Sequence, residues 1–72
     1  TAHAYIVELK YLKPDATEEA AAKQWDEAVE QIRGYGEGKA VRALAGKAAL
    51  HLIVVQIKGY SLYKMDEVTK AI

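Results

Sequence analysis

With 72 residues the chain has room for one small domain with little core to spare. Half of its residues are apolar and 28% are charged, which excludes a disordered chain, and the absence of cysteine excludes disulfides and thiolate zinc sites. A formal net charge of zero removes any global argument for nucleic-acid binding.

The first predicted element is a strand over residues 4–12, Ala-Tyr-Ile-Val-Glu-Leu-Lys-Tyr-Leu. Tyr5, Ile6, Val7 and Leu9 suit a pleated surface, and neither Gly nor Pro interrupts them. Glu8 and Lys10 sit inside this run. Residues two apart on a strand share a face, so the carboxylate and the ammonium project together, about 7 Å apart at the backbone. A charged pair in an apolar strand costs solvation unless it is paired, wetted at a cleft, or used.

Lys13-Pro14-Asp15 ends the strand, because Pro14 brings no ladder donor and disfavours a helical Lys13. Asp15 with Glu18 fits a capping box, and Thr17 is a second possible cap. A helix is predicted over 17–33, with Ala21, Trp25, Ala28, Val29 and Ile32 on one stripe and Glu18 and Glu19 in the first turn, where the helix dipole favours negative charge. Trp25 lies on that stripe and is expected in the core. Gly34-Tyr35-Gly36-Glu37-Gly38 is expected to break the helix. A short second helix is predicted over 39–45, ended by Gly46 in a C-capping role. Gly34 to Lys39 looks superficially like a phosphate-binding loop, but three residues separate its outer glycines where four are needed, Ala40 follows the lysine, and a helix precedes it.

The uninterrupted run Leu50-His51-Leu52-Ile53-Val54-Val55-Gln56-Ile57 predicts a strand over 49–58, covered on both faces and beside a parallel neighbour. Lys58-Gly59-Tyr60 reads as a turn, and residues 61–65 as an antiparallel edge strand. Residues 66–72 read as a helical turn or a frayed tail. The predicted class is therefore α/β, strand–helix–strand–strand, with a right-handed parallel crossover between the first two strands. One long helix cannot cover both faces of that sheet, so chain from elsewhere or a second copy is expected on the other; dimerisation is one expectation.

Charge is unevenly placed. Acids dominate from Lys13 to Glu37, whereas Gly38 to Met65 holds Lys39, Arg42, Lys47, Lys58 and Lys64 with no acid. This marks either an anion-facing side or an ordinary solvated surface. The longest apolar run, Leu52 to Val55, is too short to span a membrane, and there is no signal-peptide pattern, so a cytoplasmic location without membrane partners is expected. His3 and His51 show no ligand spacing and read as incidental, with His51 in or beside the core. Tyr60 and Tyr63 are candidates for an intersubunit contact.

Ala4-Tyr5-Ile6-Val7-Glu8-Leu9-Lys10, followed on the next helix by Gln31 and Tyr35, resembles the PD-(D/E)XK nuclease superfamily, in particular its RecB-like branch. That family carries Glu-x-Lys after apolar strand residues and Gln-x-x-x-Tyr on the following helix. Leu50 to Val55 and Met65 to Val68 look like the last strands of the same restriction-endonuclease-like fold. The nearest likeness is to bacterial proteins that join an ATPase-like domain to a carboxy-terminal nuclease-like domain. The resemblance implies Mg²⁺-dependent hydrolysis of DNA phosphodiesters, with Glu8 as metal ligand and Lys10 as catalytic lysine. Gln31 and Tyr35 would line the cleft, sharing a helix face if the helix reaches Tyr35. The family's motif Asp lies one strand earlier, and only Thr1-Ala2-His3 precede this strand. The resemblance therefore covers the carboxy-terminal half of the domain, and the chain, opening at Thr1 without Met, reads as a piece of a longer or processed protein, inactive alone.

Overall fold

A computed structural model describes residues 2–38, 43, 46 and 48–69. Strand β1 (His3–Leu12) is followed by helix α1 (Glu18–Glu37), strand β2 (Ala49–Lys58) and strand β3 (Ser61–Glu67). They form one mixed sheet in the order β1-β2-β3. β1 runs parallel to β2, with Ile6 opposite Leu52, Glu8 opposite Val54 and Lys10 opposite Gln56. β3 runs antiparallel to β2, with a register shift between Gln56 and Ile57. The α/β class and the strand–helix–strand–strand order are those expected, a partial restriction-endonuclease-like fold.

α1 begins where its sequence provides a cap. The backbone of Thr17 is extended, and its hydroxyl accepts from the Ala20 N–H at 3.1 Å; Asp15 is not the cap. The helix then corrects the expected break at Gly34, continuing to Glu37. Neither Gly34 nor Gly36 adopts a positive φ, and Gly36 is buried against Leu52. A Cβ there would stand 3.1 Å from both Leu52 methyl carbons, so the residue that lowers helix propensity is the one that allows close packing. Gly38 ends the helix, its N–H donating to the Tyr35 carbonyl at 3.1 Å. Of the short helix expected over 39–45 only Ala43 is among the described residues, and it is helical. Gly46 has φ of 59°, the left-handed conformation that a C-capping glycine uses.

β3 also runs further than expected, to Glu67 instead of Met65. Asp66 and Glu67 pair with Val54 and Ile53, and the tie continues as the Val68 N–H donates to the Leu52 carbonyl at 2.7 Å. Two acidic residues are poor strand formers by composition, but an adjacent strand with free ladder groups outweighs that preference. At the other end of β3, Gly59 adopts φ of 61° in the hairpin and donates its N–H to the Leu12 carbonyl.

The core lies between α1 and one face of the sheet. Trp25, Ala28 and Ile32 pack on Leu52 and Val54, with Ile6, Val29, Leu50 and Val68 at the margin. The Lys64 ammonium, from β3, sits 4.2 Å over the centre of the Trp25 ring. The opposite face has no covering element among the described residues. Tyr5, Val7, Leu9 and Tyr11 of β1 and Leu62 and Met65 of β3 are exposed, while Ile53, Val55 and Ile57 are half-buried. The expectation that β2 is covered on both faces is met on one face only.

Candidate nuclease half-site

The alternation of β1 decides where the charged pair points. Even-numbered residues from Ala4 to Leu12 are half-buried and odd-numbered ones exposed, so Glu8 and Lys10 lie on the helix-covered face. Their side chains meet, Lys10 Nζ to Glu8 Oε1, at 3.2 Å. The pair stands on an edge strand, beside α1, so its charges keep partial access to water.

Next to Lys10 in the register is Gln56, which is 1% exposed. Its Nε2 donates to the Ala21 carbonyl at 2.9 Å and to Gln24 Oε1 at 3.0 Å, and Gln24 Nε2 donates to the Tyr11 carbonyl at 3.0 Å. These acceptors fix which end of the Gln56 amide is which, because a flipped amide would aim oxygen at oxygen. Gln56 Oε1 is then a buried acceptor with no protein donor, on the strand position adjacent to Lys10. The glutamine relay ties β2 to α1 and α1 to β1 at the carboxyl end of the candidate pair. It was not anticipated from sequence, although a polar residue in the middle of an apolar run was the available signal.

Gln24 also sets the rotation of α1. Residues 24, 28, 31 and 35 repeat at four, three and four, so they share one stripe, and Gln24 shows that this stripe faces β1. α1 descends antiparallel to β1. At about 1.5 Å per residue Gln31 lies about 10 Å below Gln24, and at about 3.3 Å per residue Glu8 lies about 10 Å below Tyr11. Gln31 is thus level with Glu8, and Tyr35 with Ile6. Both Gln31 and Tyr35 are exposed, and among the described residues no hydrogen bond joins either to Glu8 or Lys10. A shallow groove of about 580 Å³ along α1, lined by Asp26, Val29, Glu30, Arg33, Gly34 and Glu37, involves none of the four.

The family model of the PD-(D/E)XK nuclease superfamily matches residues 1–67. The chain belongs to that superfamily. No curated protein and no solved structure shows a significant match.

Nucleases of this superfamily generally use divalent metal ions, which raises whether these residues fit one. Hard cations take six or more oxygens. Beside Lys10 the chain offers one carboxylate, Glu8, whose Oε1 already faces the ammonium. Among the described residues no group of three or more His, Cys, Asp or Glu converges to hold an ion. By themselves these residues do not make a Mg²⁺ site.

The two histidines, without ligand spacing in sequence, meet in the fold. His3 Nδ1 and His51 Nε2 stand 2.8 Å apart, on the open face, brought together from 48 positions apart in sequence by the parallel register. His51 is half-buried, and its Nδ1 lies 3.1 Å from both carboxylate oxygens of Glu67. The hydrogen bond from His51, then that from Thr69, holds the Glu67 carboxyl below its ordinary range. Tyr60 is fully exposed at the hairpin tip, and Tyr63 stands beneath the Lys58 ammonium at 5.6 Å. No described helix is long and apolar enough to cross a membrane.

Proposed function

We propose that this chain supplies the Glu-x-Lys wall of a Mg²⁺-dependent nuclease cleft that hydrolyses phosphodiester bonds of DNA. The observation that carries the reading is the Glu8–Lys10 pair, 3.2 Å apart on an edge strand of the sheet. Glu8 would be one oxygen ligand of the cation in the complete domain. A cation held there would supply positive charge against the phosphate. Lys10 is a fixed positive charge at the same place, suited to stabilising the negative charge that develops on phosphate oxygens during cleavage. Gln31 and Tyr35 offer an amide and a phenol along the wall, where a substrate strand would pass. A complete site would need further acidic ligands beside Glu8, and with Glu8 alone the 72 residues are expected to be inactive. A RecB-like nuclease domain at the carboxy end of a bacterial ATPase-like protein is the setting that fits best.

The test is cleavage of linear DNA with Mg²⁺ by the longer parent protein. Glu8→Ala and Lys10→Ala should each lower the rate by at least about a hundredfold while leaving the fold intact. Unchanged cleavage sinks the reading.

A second reading is favoured by the exposed row Tyr5, Val7, Leu9 and Tyr11. Here the chain is a nuclease-like scaffold without chemistry, which self-associates through its open sheet face as a dimer. Sedimentation velocity separates the two: a well-folded monomer at micromolar concentration is incompatible with self-association.

A further inference from the structure

At the amino-terminal ends of β1 and β2, on the face opposite Glu8 and Lys10, three side chains meet in a row. His3 comes from β1, His51 from β2 and Glu67 from β3. His3 Nδ1 stands 2.8 Å from His51 Nε2, and Glu67 binds the other nitrogen of His51. Tyr5 stacks on the His51 ring, with centroids 4.8 Å apart and planes inclined by 19°. The imidazole of His51 is therefore held in its plane by a ring and in its rotation by a carboxylate.

The position of the hydrogens follows. An ionised carboxylate only accepts, so His51 Nδ1 carries the proton and, in the neutral ring, Nε2 keeps a lone pair. That lone pair is aimed at His3 Nδ1. With no ion between them, the His3 Nδ1–H donates to it. If the His3 proton moves to its own Nε2, two imidazole lone pairs converge on one point.

We propose that His3 and His51 form a two-imidazole site for a divalent transition-metal ion of borderline softness, of which Zn²⁺ is the probe of choice. Zn²⁺ bonds imidazole nitrogen at about 2.0–2.1 Å, and two such ligands on a tetrahedral ion stand about 3.3 Å apart. The observed gap has to open by about 0.5 Å to reach that separation, and His3, exposed at the first position of its strand, is the ring that moves. Glu67 is not a ligand but the carboxylate behind one, which fixes the tautomer of His51 and raises its basicity. Water completes the coordination shell, so the ion is exchangeable. Imidazole selects such ions over Mg²⁺ and Ca²⁺, which prefer oxygen. The site is separate from the nuclease pair: five strand residues, about 17 Å, and the thickness of the sheet lie between His3 and Glu8.

The experiment is calorimetric titration of Zn²⁺ into the 72-residue chain, free of any histidine tag, at about pH 7.5 where free imidazole is neutral. One ion per chain is expected. His3→Ala should weaken binding by at least about tenfold, and Glu67→Gln by about 10–100-fold. Glu8→Ala should leave it unchanged, and excess Mg²⁺ should not displace the ion. Because His3 is exposed, its variant keeps the fold, which circular dichroism verifies; it is the deciding one. The absence of saturable binding up to about 1 mM, an affinity too weak to count as a site, overturns the proposal. So does binding that survives His3→Ala or yields to Mg²⁺.

Discussion

The two faces of the sheet are built from similar side chains and reach opposite states. On the face under α1, Leu52 and Val54 are buried with Ile32 and Trp25, and the polar residues among them are tied down: Gln56 by two donated hydrogen bonds, Glu8 and Lys10 by each other. On the other face Tyr5, Val7, Leu9 and Tyr11 lie bare, and the histidine–glutamate row is the only polar network described there. Strand alternation distributes side chains to both faces equally, but one helix covers only one. The covered face therefore carries the stability of the chain, and the open face carries surface still available for association.

If that division is right, substitutions on the two faces should differ by several kcal/mol. The largest effect belongs to Ile32→Ala, which empties a site with no exposure and should cost about 2–5 kcal/mol in urea unfolding. A loss below about 1 kcal/mol would mean that α1 is not docked as described. Gln56→Leu comes next. It removes the Gln56 donor to Gln24 Oε1 and the second donor to the Ala21 carbonyl while also removing one orphaned oxygen, and should cost about 1–3 kcal/mol.

The two helical glycines sharpen the comparison within α1 itself. Nothing lies within 4 Å of a Cβ added at Gly34, so Gly34→Ala should stabilise by about 0.5–1 kcal/mol through helix propensity and a stiffer unfolded chain. Gly36→Ala gains the same propensity but meets Leu52 at 3.1 Å, and should show no gain or a net loss. Equal responses, read from paired thermal melts, would place the helix end back before Gly34. Smallest of all is Val7→Thr on the bare face, expected to change monomer stability by less than about 0.5 kcal/mol. If the open face mediates self-association, the same change should weaken it in sedimentation, and a stability loss like that of Ile32→Ala would show that something covers Val7.

Much of this arrangement was legible in residue order. The apolar runs placed β1 and β2 within a residue of their observed bounds, Trp25 and Ile32 marked the buried stripe of α1, and Glu8 and Lys10 had to share a face because strand side chains repeat every second residue. Membership of the nuclease superfamily was also visible, in Glu8-Leu9-Lys10 and the Gln31–Tyr35 spacing. The misreadings share one cause. Gly34 and Gly36 look like breakers, Asp66 and Glu67 look unlike a strand, and His3 and His51 look unrelated when each is judged by its neighbours in sequence.

What sequence alone determined was periodicity: which positions alternate, which repeat along a helix, and hence which side chains share a face. What only the tertiary structure decided was where those faces meet. Leu52 has to lie over Gly36 before a glycine can favour the helix, and β2 must offer free ladder groups before Asp66 and Glu67 extend a strand. Parallel register has to set β1 beside β2 before two histidines 48 residues apart become a pair. Local preferences of about 1 kcal/mol per residue yield to packing and pairing whose strength depends on partners distant in the chain.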